Sequence, residues 1–182
     1  LAGQLQRQNG AVACAALRHM NTLGSSIKET HIRQGLALAR WPGRLQTMHW
    51  KNKPVLLDGA HNPDAAEQLG KERKAWCKDN QAQIWILGIQ AHKKAPEMLN
   101  RLLQPSDQAW IVPVPGHVSW TAKELRARCA SHSHQLTSAQ SVYEVLDKLF
   151  TQDAALQNPP PVIAGSVYLI GALVAEGVLN TP

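Results

Sequence analysis

The chain has 182 residues, enough for one full domain or for one domain with a piece of another. A hydrophobic share of 44% with only 18% charged residues is that of a globular core, which excludes the disordered, collagen-like and coiled-coil classes. Nineteen Lys and Arg against thirteen Asp and Glu give a formal charge of +6, which suits an anionic partner, but the basic residues are spread and no dense run is interleaved with aromatics, so no nucleic-acid groove is expected.

Residues 4–20 are Ala-rich, with Val12, Ala16, Leu17 and Met20 at helical spacing, and predict a helix that ends near Gly24-Ser25-Ser26. A second helix follows from about Lys28 to Ala39, with Ile32, Leu36 and Ala39 on one side, until Trp41-Pro42-Gly43 breaks it. The texture then changes. Residues 45–50 and 54–58 read as two short strands joined by the polar Lys51-Asn52-Lys53. The apolar Val55-Leu56-Leu57 runs into Asp58-Gly59-Ala60-His61-Asn62-Pro63, and residues 64–78 read as a helix with Ala65, Ala66, Leu69 and Trp76 facing inward. Strands are expected at 83–88, 109–114 and 161–164 with a short one near 135–137, and helices at 96–103, 121–130, 142–150 and 167–177. Gln157 to Pro161 reads as a surface loop.

Strands alternating with helices predict an α/β fold, a mainly parallel sheet with helices on both faces, whose ligands bind beyond the strand carboxyl ends. That rule directs attention to Asp58 to Asn62, Gly88 to Lys94, Pro113 to Ser119 and Gly165-Ser166. The longest apolar stretch, Pro161 to Ala175, is interrupted by Ser166 and Tyr168 and stopped by Glu176, too short and too broken to span a bilayer. Cys14, Cys77 and Cys129 are odd in number, far apart and without CxxC pairing, so neither a disulfide framework nor a zinc site is indicated, and a reducing cytoplasm is the expected compartment. The opening residues lack a signal-peptide layout, and the start at Leu1 rather than Met points to a natural chain that extends upstream.

Asp58 to Asp64 places a carboxylate, an imidazole and an amide on a turn between a buried strand and a helix N-terminus. Two readings stand. Asp58 accepts sugar hydroxyls beside an anion-binding helix start, or Asn62 and Asp64 cap the helix while Asp58 merely ends the strand. Arg44, in Trp41-Pro42-Gly43-Arg44-Leu45, either reaches phosphate oxygens across a cleft or is a solvated residue of a linker. Asn9, early on the first helix, reads as a cap or an exposed amide. The Ser166 hydroxyl either caps the last helix or helps to hold a carboxylate at its N-terminus.

Together these strings are more specific than any one. Trp41-Pro42-Gly43-Arg44-Leu45-Gln46, then Leu57-Asp58-Gly59-Ala60-His61-Asn62-Pro63-Asp64-Ala65-Ala66, and late in the chain Gly165-Ser166-Val167-Tyr168-Leu169 resemble the folylpolyglutamate synthase/dihydrofolate synthase family of the Mur ligase superfamily. The opening Gly3-Gln4-Leu5-Gln6-Arg7-Gln8-Asn9 resembles the stretch that ends the family's central ATPase domain. The resemblance implies that residues 1–41 are the C-terminal end of that domain with its linker, and residues 42–182 the C-terminal Rossmann-like Mur ligase domain. No GxxxxGK[ST] phosphate loop occurs in the chain, so the N-terminal ATPase domain, with the magnesium ligands, is expected to be missing. The implied activity is ATP-dependent joining of glutamate to dihydropteroate or folate through an acyl phosphate. Asn9 would contact the adenine end of ATP, Arg44 its phosphates, and Asp58 its ribose. His61 would lie beside the nucleotide, and Ser166 would meet the incoming glutamate. Two departures stand out: His92-Lys93-Lys94 lacks the acidic flanks many relatives have around the central lysine, and Leu5 stands where many have histidine. The rivals are a Mur-type peptidoglycan ligase, disfavoured by the Trp41 to Arg44 and Asp58 to Asn62 strings, and a non-catalytic nucleotide-binding or regulatory module derived from this domain.

Overall fold

The computed structural model describes residues 4–39, 42–78, 81–151 and 159–180. Trp41, the opening Leu1 to Gly3 and part of the loop expected at Gln157 to Pro161 lie outside the described residues. The chain divides into two compact units, residues 1–44 and 45–182.

The first unit is a helical hairpin of α1 (Gln4–Thr22) and α2 (Glu29–Leu38). Arg18 donates from Nε and Nη2 to the two carboxylate oxygens of Glu29 at 2.6 and 2.9 Å. Asn21 closes the connection by donating to Ile27 O at 2.7 Å and accepting the Ile27 N–H at 2.8 Å. The more buried positions of α1 are Gly10, Cys14 and Leu17, at helical spacing, and those of α2 are Ile32 and Leu36. Val12 and Met20, predicted on the helix by their spacing, are exposed.

The second unit is a six-stranded sheet in the order β1-β2-β6-β3-β4-β5. The strands are β1 (Gln46–Trp50), β2 (Lys53–Leu57), β3 (Ile84–Leu87), β4 (Gln108–Ile111), β5 (Leu136–Ser138) and β6 (Val162–Ala164). β1 runs antiparallel to β2, and the other pairings are parallel. The β1–β2 loop is shorter than its three polar residues suggested, because Lys53 already pairs with Trp50. Lys51 and Asn52 both have positive φ, 47° and 65°, the geometry of a two-residue hairpin turn that matches strand twist. Lys51 tolerates this conformation while its ammonium pairs with Asp147 at 2.6 Å and lies over the Trp50 ring.

The helices of this unit are α3 (Pro63–Glu72), α4 (Ala95–Leu102), α5 (Ala122–Arg128), α6 (Val142–Thr151) and α7 (Val167–Ala175). The expected helix over 64–78 tightens after Glu72 into a 3₁₀ turn at Arg73–Ala75, and that over 121–130 gives way after Arg128 to a second one at Ala130–Gln135. Thr121 is the N-cap of α5 and forms a reciprocal box with Glu124. The core has two layers because strand side chains alternate. Leu56, Trp85, Leu87, Ala109, Ile111 and Ala164 pack under α3, α4 and α5, whereas Val55, Leu57, Ile86, Val112 and Ile163 pack under α6 and α7. Each large apolar side chain fully buried this way contributes about 1.5–3 kcal/mol.

At the amino ends of β3 and β4 a buried carboxylate gathers the chain. Asp107 accepts Arg73 Nη1 on both oxygens at 2.8 and 2.7 Å, the Gln83 and Gln104 N–H groups at 3.0 Å each, and the Trp85 indole N–H at 3.0 Å. Gln135 Nε2 donates to the Asp107 carbonyl at 2.9 Å, and Gln83 Nε2 to Pro160 O at 2.9 Å, so the entries to β5 and β6 are tied to the same point. Burial works against the Arg73 charge, but the bonds to Asp107 and Cys77 outweigh it and raise its pKa above the ordinary arginine value. Among the described residues no helix is long and apolar enough to cross a membrane.

Replacing Asp107 with Ala strands the Arg73 guanidinium, whose side chain is 5% exposed. We expect that variant to lose about 3–5 kcal/mol in urea unfolding, and an Arg73→Met/Asp107→Leu pair to lose less than the single change, because it removes the charge as well as its partner.

Candidate functional site

Helices after β2, β3 and β4 cover one face, and those leading to and from β6 cover the other. Right-handed crossovers impose this: the chain steps outward from β2 through β3 and β4 to β5, then returns to insert β6 between β2 and β3, and a return step puts its helix on the opposite face. The loops leaving β2 and β3 therefore turn one way and the loop leaving β6 turns the other. A crevice opens at that switch point beyond the strand carboxyl ends. Its rim is built from residues 58–62, 88–94 and 165–168.

Asp58 follows β2, donates its N–H to Ile163 O at 2.9 Å, and is 7% exposed. Its Oδ2 accepts the Leu45 N–H at 3.0 Å and its Oδ1 the Ala60 N–H at 2.8 Å. The carboxylate therefore fixes both the entry of the second unit, where Leu45 has a positive φ of 45°, and the turn that carries His61. His61 Nδ1 donates to Gly59 O at 2.8 Å, since a carbonyl can only accept. That bond puts the proton on Nδ1 and leaves Nε2 as the nitrogen available to a ligand. Asn62 is the N-cap of α3, accepting the Ala65 N–H at 2.8 Å, with Pro63 in the first turn. Of the two readings of this turn, the capping one holds for Asn62. Asp64 does not cap; it accepts from Arg101 of α4 at 2.7 Å.

Ser166, 1% exposed, is the N-cap of α7 and accepts the Tyr168 N–H at 3.1 Å. It is presented by Gly165, whose φ is +105°, a conformation side chains rarely adopt. A Cβ on Gly165 would lie 2.6 Å from Gly88 O, so the backbones leaving β6 and β3 touch at this point. Beneath them runs a narrow apolar crevice lined by Ala60, Leu87, Ile89, Met98, Ala164 and Gly165.

Asp58, His61 and Ser166 thus share one rim on adjacent strands. Asn9, exposed on α1, and Arg44, half-buried at the last position of the first unit, belong to the other unit. Sequence reasoning missed how the rim's third side is held. The loop after β3 is zipped to the loop after β4: Trp120 N–H donates to Ile89 O and Ala91 N–H to Val118 O, each at 2.9 Å, and the Trp120 indole donates to Lys93 O at 3.0 Å. No periodicity marks such a pairing, because both segments lie outside the strands. Among the described residues no three His, Cys, Asp or Glu side chains gather as metal ligands, so these residues do not themselves fit a resident metal.

The family model described as "Dihydrofolate synthetase, C-terminal domain" matches residues 43–176. Folylpolyglutamate synthase of Lacticaseibacillus casei is 31% identical over 175 residues, which is 95% of this chain and 38% of that protein. A solved structure of Escherichia coli FolC in complex with DHPP and ADP is 31% identical, with a TM-score of 0.73 over 93% of this chain and 38% of that one. Mycobacterium tuberculosis folylpolyglutamate synthase, complexed with ADP and AMPPCP, has a TM-score of 0.80 over 97% of this chain and 40% of that one; at 22% identity it shows the shared fold. The chain thus spans about two fifths of the length of the relatives it matches.

Gly165→Ala forces a side chain against the Gly88 carbonyl in a disfavoured backbone conformation. Urea unfolding should show a loss of about 2–4 kcal/mol, against about 1 kcal/mol for Ser166→Ala, which removes only the cap.

Proposed function

The chain belongs to the folylpolyglutamate synthase/dihydrofolate synthase family, and from that premise we propose that it is the closing C-terminal part of an ATP-dependent ligase that joins glutamate to dihydropteroate or a folate. In this reading residues 1–41 end the central ATPase domain and residues 42–182 form the domain that shuts over the nucleotide. The observation that carries the reading is the family match over residues 43–176, which takes in Arg44, Asp58, His61 and Ser166 together.

The γ-phosphoryl of ATP passes to a carboxylate oxygen of the pterin or folate substrate, releasing ADP and leaving an acyl phosphate. The glutamate amine attacks the acyl carbon, the amide C–N bond forms as the C–O bond to phosphate breaks, and the amine gives up a proton. The chain's own residues bind and orient. Asp58 accepts from the ribose with the lone pairs left beside its two backbone N–H partners. Asn9 contacts the adenine end. His61, with its proton held on Nδ1 by Gly59, offers Nε2 beside the nucleotide. Ser166 and the α7 N-terminus suit the carboxylate of the incoming glutamate, where unpaired N–H groups and the helix dipole favour an anion. Arg44 neutralises developing charge on the phosphates once the cleft closes and water is excluded, where a guanidinium pairs two oxygens at once. The magnesium expected for such a reaction has its ligands in the N-terminal part of the natural chain, and none of these binding roles depends on it.

In the complete natural chain Arg44→Ala should lower kcat for ADP release by about 100-fold or more while the unfolding midpoint moves little. Wild-type turnover at saturating ATP would remove Arg44 from the mechanism. The 182-residue chain alone, without a glycine-rich phosphate loop, should release no ADP when glutamate and folate are added; glutamate-dependent ADP release from the pure chain would overturn the two-part reading.

A further inference from the structure

The His92-Lys93-Lys94 loop forms the remaining side of the rim. Lys94 pairs with Glu97 at 3.5 Å, whereas Lys93 is in no ion pair among the described residues. The root of the loop at Gly88 touches the root of the Ser166 turn at Gly165. An ammonium carried on that loop sits on the rim shared with the α7 N-terminus, where an anionic group of a substrate gains from both.

A lysine on a freely moving loop would spend much of its binding energy on ordering the loop. Here the ordering is already built in. The Trp120 indole donates to Lys93 O at 3.0 Å, and that same carbonyl accepts the Ala95 N–H at 2.9 Å, so the peptide beside Lys93 is held from two directions. The Trp120 backbone N–H holds Ile89 O, its ring packs against the core under α5, and the Arg128 guanidinium lies over it at 5.2 Å. The ring is thus anchored on the α5 side, and its one polar atom is spent on the loop. The packing would be served equally by phenylalanine, but the bond to Lys93 O would not.

We propose that Trp120 is a positioning residue that fixes the Lys93 loop on the rim so that Lys93 receives the carboxylate of the amino-acid substrate. The proposal rests on the ligase reading above and adds to it a residue pair that acts on the amino acid rather than on the nucleotide.

The test is steady-state kinetics on the complete natural chain with Trp120→Phe, Lys93→Ala and the double variant. Trp120→Phe should raise KM for glutamate about five-fold, the size of one lost hydrogen bond, with kcat and KM for ATP held. Lys93→Ala should raise the same KM, and the double variant should be no worse than Lys93→Ala alone, because a residue acting through Lys93 has nothing left to position. Hydrogen exchange at Ala91 should also quicken in Trp120→Phe. An unchanged glutamate KM in either single variant, or effects that multiply in the double one, overturns the proposal while leaving the ligase reading intact. If Trp120→Phe does not fold, Lys93→Ala still decides, since an unmoved glutamate KM there is sufficient to sink it. A complete wild-type chain that releases no ADP on adding glutamate would remove the reading and the proposal together.

Discussion

One carboxylate holds the second unit together. Asp107 lies in the loop before β4, has no exposed side-chain surface, and accepts from an arginine, an indole and two backbone amides drawn from the end of α3, the start of β3 and its own loop. A buried ion pair adds little net stability compared with apolar side chains of the same volume, since both ions lose their water. What it adds is uniqueness. Every donor around Asp107 would be an orphan in any other register, so the end of α3, the starts of β3 and β4 and the approach to β5 can meet in one way only.

That constraint sits at the amino ends of the parallel strands, and the crevice sits at the carboxyl ends. The separation leaves the rim free to carry unusual backbone. Gly165 is left-handed and in contact with Gly88, Leu45 has a positive φ, and Asp58 spends hydrogen-bonding capacity on the amides of Leu45 and Ala60. Such features cost stability one by one. They are sustained by a sheet whose inner strands, β3 and β6, are buried on both faces. The same side chain can therefore serve two ends: Asp58 sets the entry of the domain and lies on the rim, as Ser166 both caps α7 and occupies the switch point.

The alternation of strands and helices was legible because each apolar run is short, and each is stopped by Gly, Pro or a capping residue. Val55-Leu56-Leu57 ends at Asp58-Gly59, Ile84 to Leu87 ends at Gly88, and Val162 to Ala164 ends at Gly165. The place of the crevice was legible for the same reason, since a parallel sheet directs its ligands to those stops. The Lys51-Asn52 turn was not, because neither residue is glycine and the left-handed pair is tolerated through contacts with Trp50 and Asp147. Asp107 gave no signal at all, as a lone acidic residue in Gln104-Pro105-Ser106-Asp107 reads as an ordinary surface loop.

By itself, then, the sequence determined the fold class, the chain order of the elements, the helix-starting motifs at Asn62, Thr121 and Ser166, and the family, because local periodicity, capping and contiguous motifs are encoded within a few neighbouring residues. The tertiary structure alone decided that β6 enters between β2 and β3, that Gly88 meets Gly165, that Asp107 joins distant segments, and that Trp120 reaches Lys93 across 27 positions of chain. These are pairings between distant segments, and their partners are chosen by burial, crossover handedness and the need to satisfy every buried donor, none of which a local reading can sum.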